Sequence, residues 1–115
     1  MKVIDRYLES WNETDPARRR ALIDEVWAEH GRYTDPLADA EGRDAIDATI
    51  AAVQGQFPGL RFSAGPVDAH HHIARFTWTL GGDGTEPLVV GFDVAVLTDD
   101  GRIAAIHGFL DKVPA

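Results

Sequence analysis

The sequence predicts an α+β fold, with three helices packed on one face of a curved antiparallel sheet. Two observations carry this. Apolar residues recur at helical spacing through the first half of the chain, and from Leu60 onward they alternate with period two between turn-forming clusters. Helices first and strands afterwards is the order of a segregated α+β domain, and a sheet curled over helices leaves a cone-shaped cavity, a natural small-molecule site.

In chain order, Ile4, Tyr7, Leu8 and Trp11 form the stripe of a first amphipathic helix. Thr14-Asp15-Pro16 opens a second, with a polar cap before proline in the first turn. That helix carries Leu22, Ile23, Val26 and Trp27 inward and Arg18, Arg19 and Arg20 toward solvent, and it is expected to end at His30-Gly31 on a left-handed glycine. Arg32 to Asp35 reads as a short strand stopped by Pro36, and Leu37 to Glu41 as a loop. Ile46, Thr49, Ile50, Val53 and Phe57 define a third helix, broken by Pro58-Gly59. Four strands follow: Leu60 to Ala69, His70 to Leu80, Leu88 to Leu97 and Arg102 to Leu110. Gly81 to Gly84 marks a turn between the middle two, and Thr98-Asp99-Asp100-Gly101 a hairpin between the last two.

The 115 residues suit one domain, 1–115. A formal charge of −8 disfavours a nucleic-acid partner. No apolar run approaches a membrane span, and the polar start does not resemble a signal peptide, so no membrane partner and a cytoplasmic location are expected. Without cysteine there is no disulfide, thiol nucleophile or thiolate metal site.

Two acids stand out. Asp35 ends a short strand beside a rigid proline, which suits either a carboxylate held at a cavity mouth or the opening residue of an Asp-Pro turn. Asp93 shares a strand face with Val89, Gly91, Ala95 and Leu97, while Leu88, Val90, Phe92, Val94 and Val96 take the other. An acid in so apolar a strand must be paired, protonated or facing a wet cavity. Tyr7, on the first helical stripe, offers its hydroxyl to the cavity or sits in the core. If His70 to Leu80 is a strand, His72 joins Ala74, Phe76 and Trp78 on the cavity face, as a polar group at the rim, and Arg75 points outward. His70 and His72 would then share a face, but no third ligand accompanies them, so no metal site is expected. The candidate pocket-lining set is His72, Phe76, Trp78, Trp11, Phe57, Ile106 and Leu110.

The run Trp27 to Ile50, with Tyr33-Thr34-Asp35-Pro36 and Gly42-Arg43-Asp44-Ala45-Ile46, resembles the NTF2-like superfamily and its SnoaL-like branch. So do Ala74 to Trp78, Gly91-Phe92-Asp93 and Asp99 to Ile103. The resemblance implies the NTF2-like (cystatin-like) cone. Arg6-Tyr7, Asp35-Pro36 and Asp93 are similar to the catalytic tyrosine, the base before a proline and the second oxyanion-hole acid of ketosteroid isomerases. It implies that Asp35 moves a proton while Tyr7 and a neutral Asp93 hydrogen-bond the developing enolate oxygen. The superfamily's epoxide hydrolases place an arginine two residues from an acid; here Gly91 precedes Asp93 by two and Arg75 lies on the other face.

The resulting expectation is a cofactor-independent acid–base enzyme acting on a small apolar carbonyl compound, by isomerisation or by cyclase- or dehydratase-like chemistry. The alternative is a non-catalytic protein binding an apolar ligand in the same pocket. Assembly follows from the strands. Phe92, Val94 and Val96, joined by Ile103, Ala105, His107 and Phe109, would leave an uncovered apolar outer face, so a homodimer packed through that face is expected.

Overall fold

The computed structural model describes residues 1–114 as three helices on one six-stranded sheet. Helix α1, Lys2–Asn12, buries Ile4, Tyr7, Leu8 and Trp11, the stripe read from the sequence. Helix α2, Pro16–Val26, starts as expected: the Asp15 carboxylate accepts the Arg18 amide at 2.9 Å and proline occupies the first turn. Helix α3 is Arg43–Gln56.

The strands are β1 (Trp27–Asp35), β2 (Ala38–Glu41), β3 (Arg61–His70), β4 (Ile73–Gly81), β5 (Val89–Leu97) and β6 (Ile103–Lys112). Their order across the sheet is β2-β1-β6-β5-β4-β3. The last four form the expected meander. Strand β1 joins it by pairing parallel to β6, and β2 folds back antiparallel on β1. The helices line the concave face, where Trp27, Phe76, Ile4, Ile23, Ile46, Ile50 and Ile106 are fully buried.

Several expectations change. Helix α2 ends at Val26, not at His30-Gly31, because Trp27 turns extended and pairs with Ile103. Gly31 is therefore a strand residue, and it serves close approach rather than a left-handed cap: a Cβ there would lie 2.4 Å from the Trp27 ring. The expected loop at Leu37 to Glu41 contains β2, whose Asp39 receives both guanidinium arms of Arg32 at 2.8 and 2.9 Å. Arg18 and Arg20 are exposed or nearly so, but Arg19 is buried, bonded to Asp47 at 2.7 Å and to Gln54 at 2.9 Å on α3. Buried guanidinium groups persist only with such partners.

His70 ends β3, and His71, in the left-handed region (φ 50°), and His72 form the turn to β4, so His70 and His72 do not project from one strand face. Ile103 faces the core, not the outer surface. Ala104 is an extra residue between the pairs Val96–Ala105 and Leu97–Ile103, and this bulge inverts the alternation at the start of β6.

Candidate functional site

A cavity of about 680 Å³ opens between the helices and the concave face of the sheet. Helix α1 supplies Tyr7, Leu8 and Trp11, and α3 supplies Thr49, Val53 and Gln56, with Phe57 just beyond it. The sheet contributes Tyr33 and Asp35 from β1, Phe62 from β3, Trp78 from β4, Asp93 from β5 and Leu110 from β6. Of the expected lining residues, Trp11, Phe57, Trp78 and Leu110 are in the wall. Phe76 and Ile106 face inward as expected but are packed beneath the cavity floor, 1% and 0% exposed. His72 is exposed in the β3–β4 turn and does not reach the rim. Alternation gives the face of a strand but not the depth along a tapering cone.

The expected trio Tyr7, Asp35 and Asp93 does share this cavity. Asp93 is only 2% exposed, as deeply buried as Tyr7. Its Oδ2 accepts the Tyr7 hydroxyl in a long hydrogen bond of 3.4 Å, and its Oδ1 is buried with no partner. Burial pushes the Asp93 carboxyl up to about 7. The Trp78 indole, which lies close without completing a hydrogen bond, and the Tyr7 hydroxyl hold it back, and the charge of Asp35 raises it further. Tyr7 in turn is driven well above the ordinary phenol range by burial first and then by Asp93, so its hydroxyl remains a donor.

Two glycines make room for side chains here, Gly91 for Trp78 and Gly108 for Asp93. A Cβ at Gly91 would fall 2.1 Å from the Trp78 ring, so the bare backbone there lets the indole lie flat across β5. A Cβ at Gly108 would fall 2.9 Å from Asp93 Oδ1 and 3.3 Å from the Asp35 Cβ. Both acids therefore flank Gly108, from β1 and β5 on either side of β6.

Asp35 ends β1 where the chain turns. Its Oδ1 accepts the Leu37 amide at 2.8 Å, the turn bond that aspartate before proline favours. Its Oδ2 accepts the Tyr33 hydroxyl at 2.5 Å. Tyr33 is the residue that sequence reasoning missed. It stands two positions before Asp35 on one strand, so alternation alone puts both side chains on the same face. Burial, then the hydrogen bond and charge of Asp35, raise the Tyr33 hydroxyl well above its ordinary range, which keeps it a donor. Each acid thus faces a tyrosine, in walls otherwise made of aromatic and aliphatic groups.

Residues 4–106 match the SnoaL-like domain, most of the chain. The chain belongs to the SnoaL-like family. It is similar to a candidate isomerase of that family from Agrobacterium tumefaciens, with 42% identity and a TM-score of 0.90 over 96% of this chain and 95% of that one. More distant likenesses, which speak to the fold alone, include a candidate SnoaL-like polyketide cyclase from Jannaschia (20% identity, TM-score 0.72, 95% and 85% covered). Another is a candidate ketosteroid isomerase from Kribbella flavida (17% identity, TM-score 0.72, 99% and 78% covered). Among proteins of curated function none matches. A cystatin-like fold is among the structural likenesses, in agreement with the NTF2-like cone.

Proposed function

We propose that the cavity is the active site of a cofactor-independent acid–base enzyme acting on a small, largely apolar carbonyl compound. In this reading the Asp35 carboxylate takes a proton from the carbon α to the carbonyl. The C–H electron pair moves into the new C=C bond, and the carbonyl π pair moves onto oxygen, which accepts hydrogen bonds from the Tyr7 hydroxyl and the protonated Asp93 carboxyl. Return of the proton from Asp35 to a conjugated carbon restores the carbonyl and completes an isomerisation. An aldol cyclisation or a dehydration would begin with the same proton transfer.

The observation that carries this reading is the convergence of Tyr7, Asp35 and a deeply buried Asp93 on one apolar cavity. With its carboxyl raised to about 7, Asp93 stays largely protonated below that pH, and a protonated acid is a hydrogen-bond donor where an ionised one is not. The named similarity to a candidate isomerase at 42% identity supports the same class. The test is the rise in ultraviolet absorbance as β,γ-unsaturated cyclic ketones become conjugated. Wild type should accelerate it over buffer, and Asp35→Asn should lose about 100- to 10,000-fold, the usual worth of a positioned base. Equal rates for the two proteins would remove Asp35 from the role.

A binding protein is the second reading, and one observation favours it. Both Asp35 oxygens already accept hydrogen bonds, from Tyr33 and the Leu37 amide, as they would in a purely structural turn.

A further inference from the structure

The lining residues of the cavity include two carboxyl groups, Asp35 and Asp93, and no lysine, arginine or histidine. The chain as a whole carries −8, so the approach to the cavity is no more welcoming to an anion than its interior. A carboxylate or phosphate on a ligand would be desolvated beside like charge with no cation to receive it. The opposite charge meets a different reception. Asp93 is 2% exposed and its Oδ1 is without a partner, and the bare backbone of Gly108 lets it approach Asp35: a Cβ there would lie 2.9 Å from Oδ1 and 3.3 Å from the Asp35 Cβ. The same cavity is lined by the rings of Tyr7, Trp11, Tyr33, Phe62 and Trp78, whose electron-rich faces attract cations.

We propose that the cavity binds apolar amines in their ammonium form, the nitrogen held by the Asp93 and Asp35 carboxyl groups, the hydrocarbon body against the aromatic wall. The ammonium supplies a donor to a carboxyl group that has only the long Tyr7 hydrogen bond, and neutralises an acid that is otherwise costly to ionise there. This goes beyond the proton-transfer reading and holds whether or not the cavity catalyses. The two uses of Asp93 belong to different protonation states: the neutral acid donates to an oxygen, the carboxylate accepts from an ammonium.

Amine binding is accordingly tied to pH. The groups that face Asp93 are Tyr7 from α1, Tyr33 and Asp35 from β1 and Trp78 from β4. Strand β6 presents only Gly108 there, and its His107 is exposed on the opposite face. Among the described residues no basic group lines the cavity. Burial holds the Asp93 carboxyl at about 7, so below that pH an incoming ammonium must expel its proton.

The experiment is isothermal titration calorimetry with three probes of one outline: 2-naphthylmethylamine, 2-naphthalenemethanol and 2-naphthoate. None is a ketone, so the readout is binding alone, and loss of turnover in Asp35→Asn would leave its outcome untouched. At pH 8 the amine should bind at least about tenfold more tightly than the alcohol, and the naphthoate more weakly than either. Between pH 6 and pH 8 the amine, protonated throughout, should gain about tenfold as Asp93 ionises. Asp93→Asn should abolish that gain, and Asp35→Asn should weaken the amine while keeping it. Circular dichroism establishes that each variant is folded. Should Asp93→Asn not fold, Asp35→Asn and the three-probe comparison on wild type carry the test. Alcohol or naphthoate binding as tight as the amine at pH 8 would overturn the proposal, as would amine affinity unchanged in a folded Asp93→Asn.

Discussion

Replacing Asp93 with asparagine should turn a pH-dependent stability into a nearly flat one. The native carboxyl titrates at about 7 against an ordinary 3.8, so the folded protein holds a proton that the unfolded chain has already released. The sign follows from linkage: the protonated, buried acid contributes stability in full below the unfolded value, and that stability is lost as pH rises through about 7. The whole interval, at about 1.4 kcal/mol per pH unit, amounts to about 4 kcal/mol, of which about 2.5 kcal/mol disappears between pH 5 and pH 8. Asparagine has nearly the same shape and no charge to bury. Urea unfolding of both proteins at half-unit steps from pH 5 to pH 8 isolates this group, because the other titrating residues are common to both. The stability of Asp93→Asn relative to wild type should rise by about 2.5 kcal/mol across the range. Parallel profiles would refute the reasoning and would mean that Asp93 is ionised and satisfied in the native protein.

Three further outcomes follow from particular contacts. Gly91→Ala puts a methyl 2.1 Å from the Trp78 ring, so the indole must leave its place across β5; chemical denaturation should show a loss of about 1–3 kcal/mol, with a shift in tryptophan fluorescence. Arg19→Ala removes the partner of Asp47 and Gln54 from a half-buried α2–α3 junction and should cost about 1–3 kcal/mol, whereas Arg18→Ala, on the exposed side, should cost less than about 0.5 kcal/mol. The outer sheet face is the last. Phe109 is 58% exposed there, Phe92, Val94 and Val96 are only half-buried, and all three helices lie on the other side. We propose that a second copy covers it: light scattering at micromolar concentration should give about twice the 12.6 kDa chain mass, and Val94→Glu should lower it. A monodisperse monomer would contradict this.

Much of the cone was legible because its signals are periodic. The stripe Ile4-Tyr7-Leu8-Trp11 and the alternation of Val89 to Leu97 each report a buried face directly, and they suffice to put Tyr7 and Asp93 inside. The junction at Trp27 was not legible. Trp27 continues the α2 stripe at helical spacing, and only its pairing with Ile103, distant in sequence, turns it into a strand. Strand β2 is Ala-Asp-Ala-Glu, four residues without β-branched or aromatic character, held by backbone pairing to β1 and by the Arg32–Asp39 pair. The bulge at Ala104 has no local signature either, so the side of Ile103 could not be read from alternation. Tyr33 is the opposite case, since its i, i+2 relation to Asp35 was visible in the sequence, and what was lacking was the knowledge that the hydroxyl reaches back to the carboxylate.

If Asp35 takes a proton from carbon in this cavity, the protein must exchange α-hydrogen for deuterium, whether the product is an isomer, a ring or the starting ketone. A panel of apolar cyclic ketones in D₂O, followed by proton NMR with wild type, Asp35→Asn and buffer alone, makes the comparison. Wild type should speed the loss of the α-proton signal of at least one ketone, and Asp35→Asn should return that rate to within about tenfold of buffer. Exchange as fast in Asp35→Asn as in wild type, or no faster in wild type than in buffer across the panel, would contradict the claim.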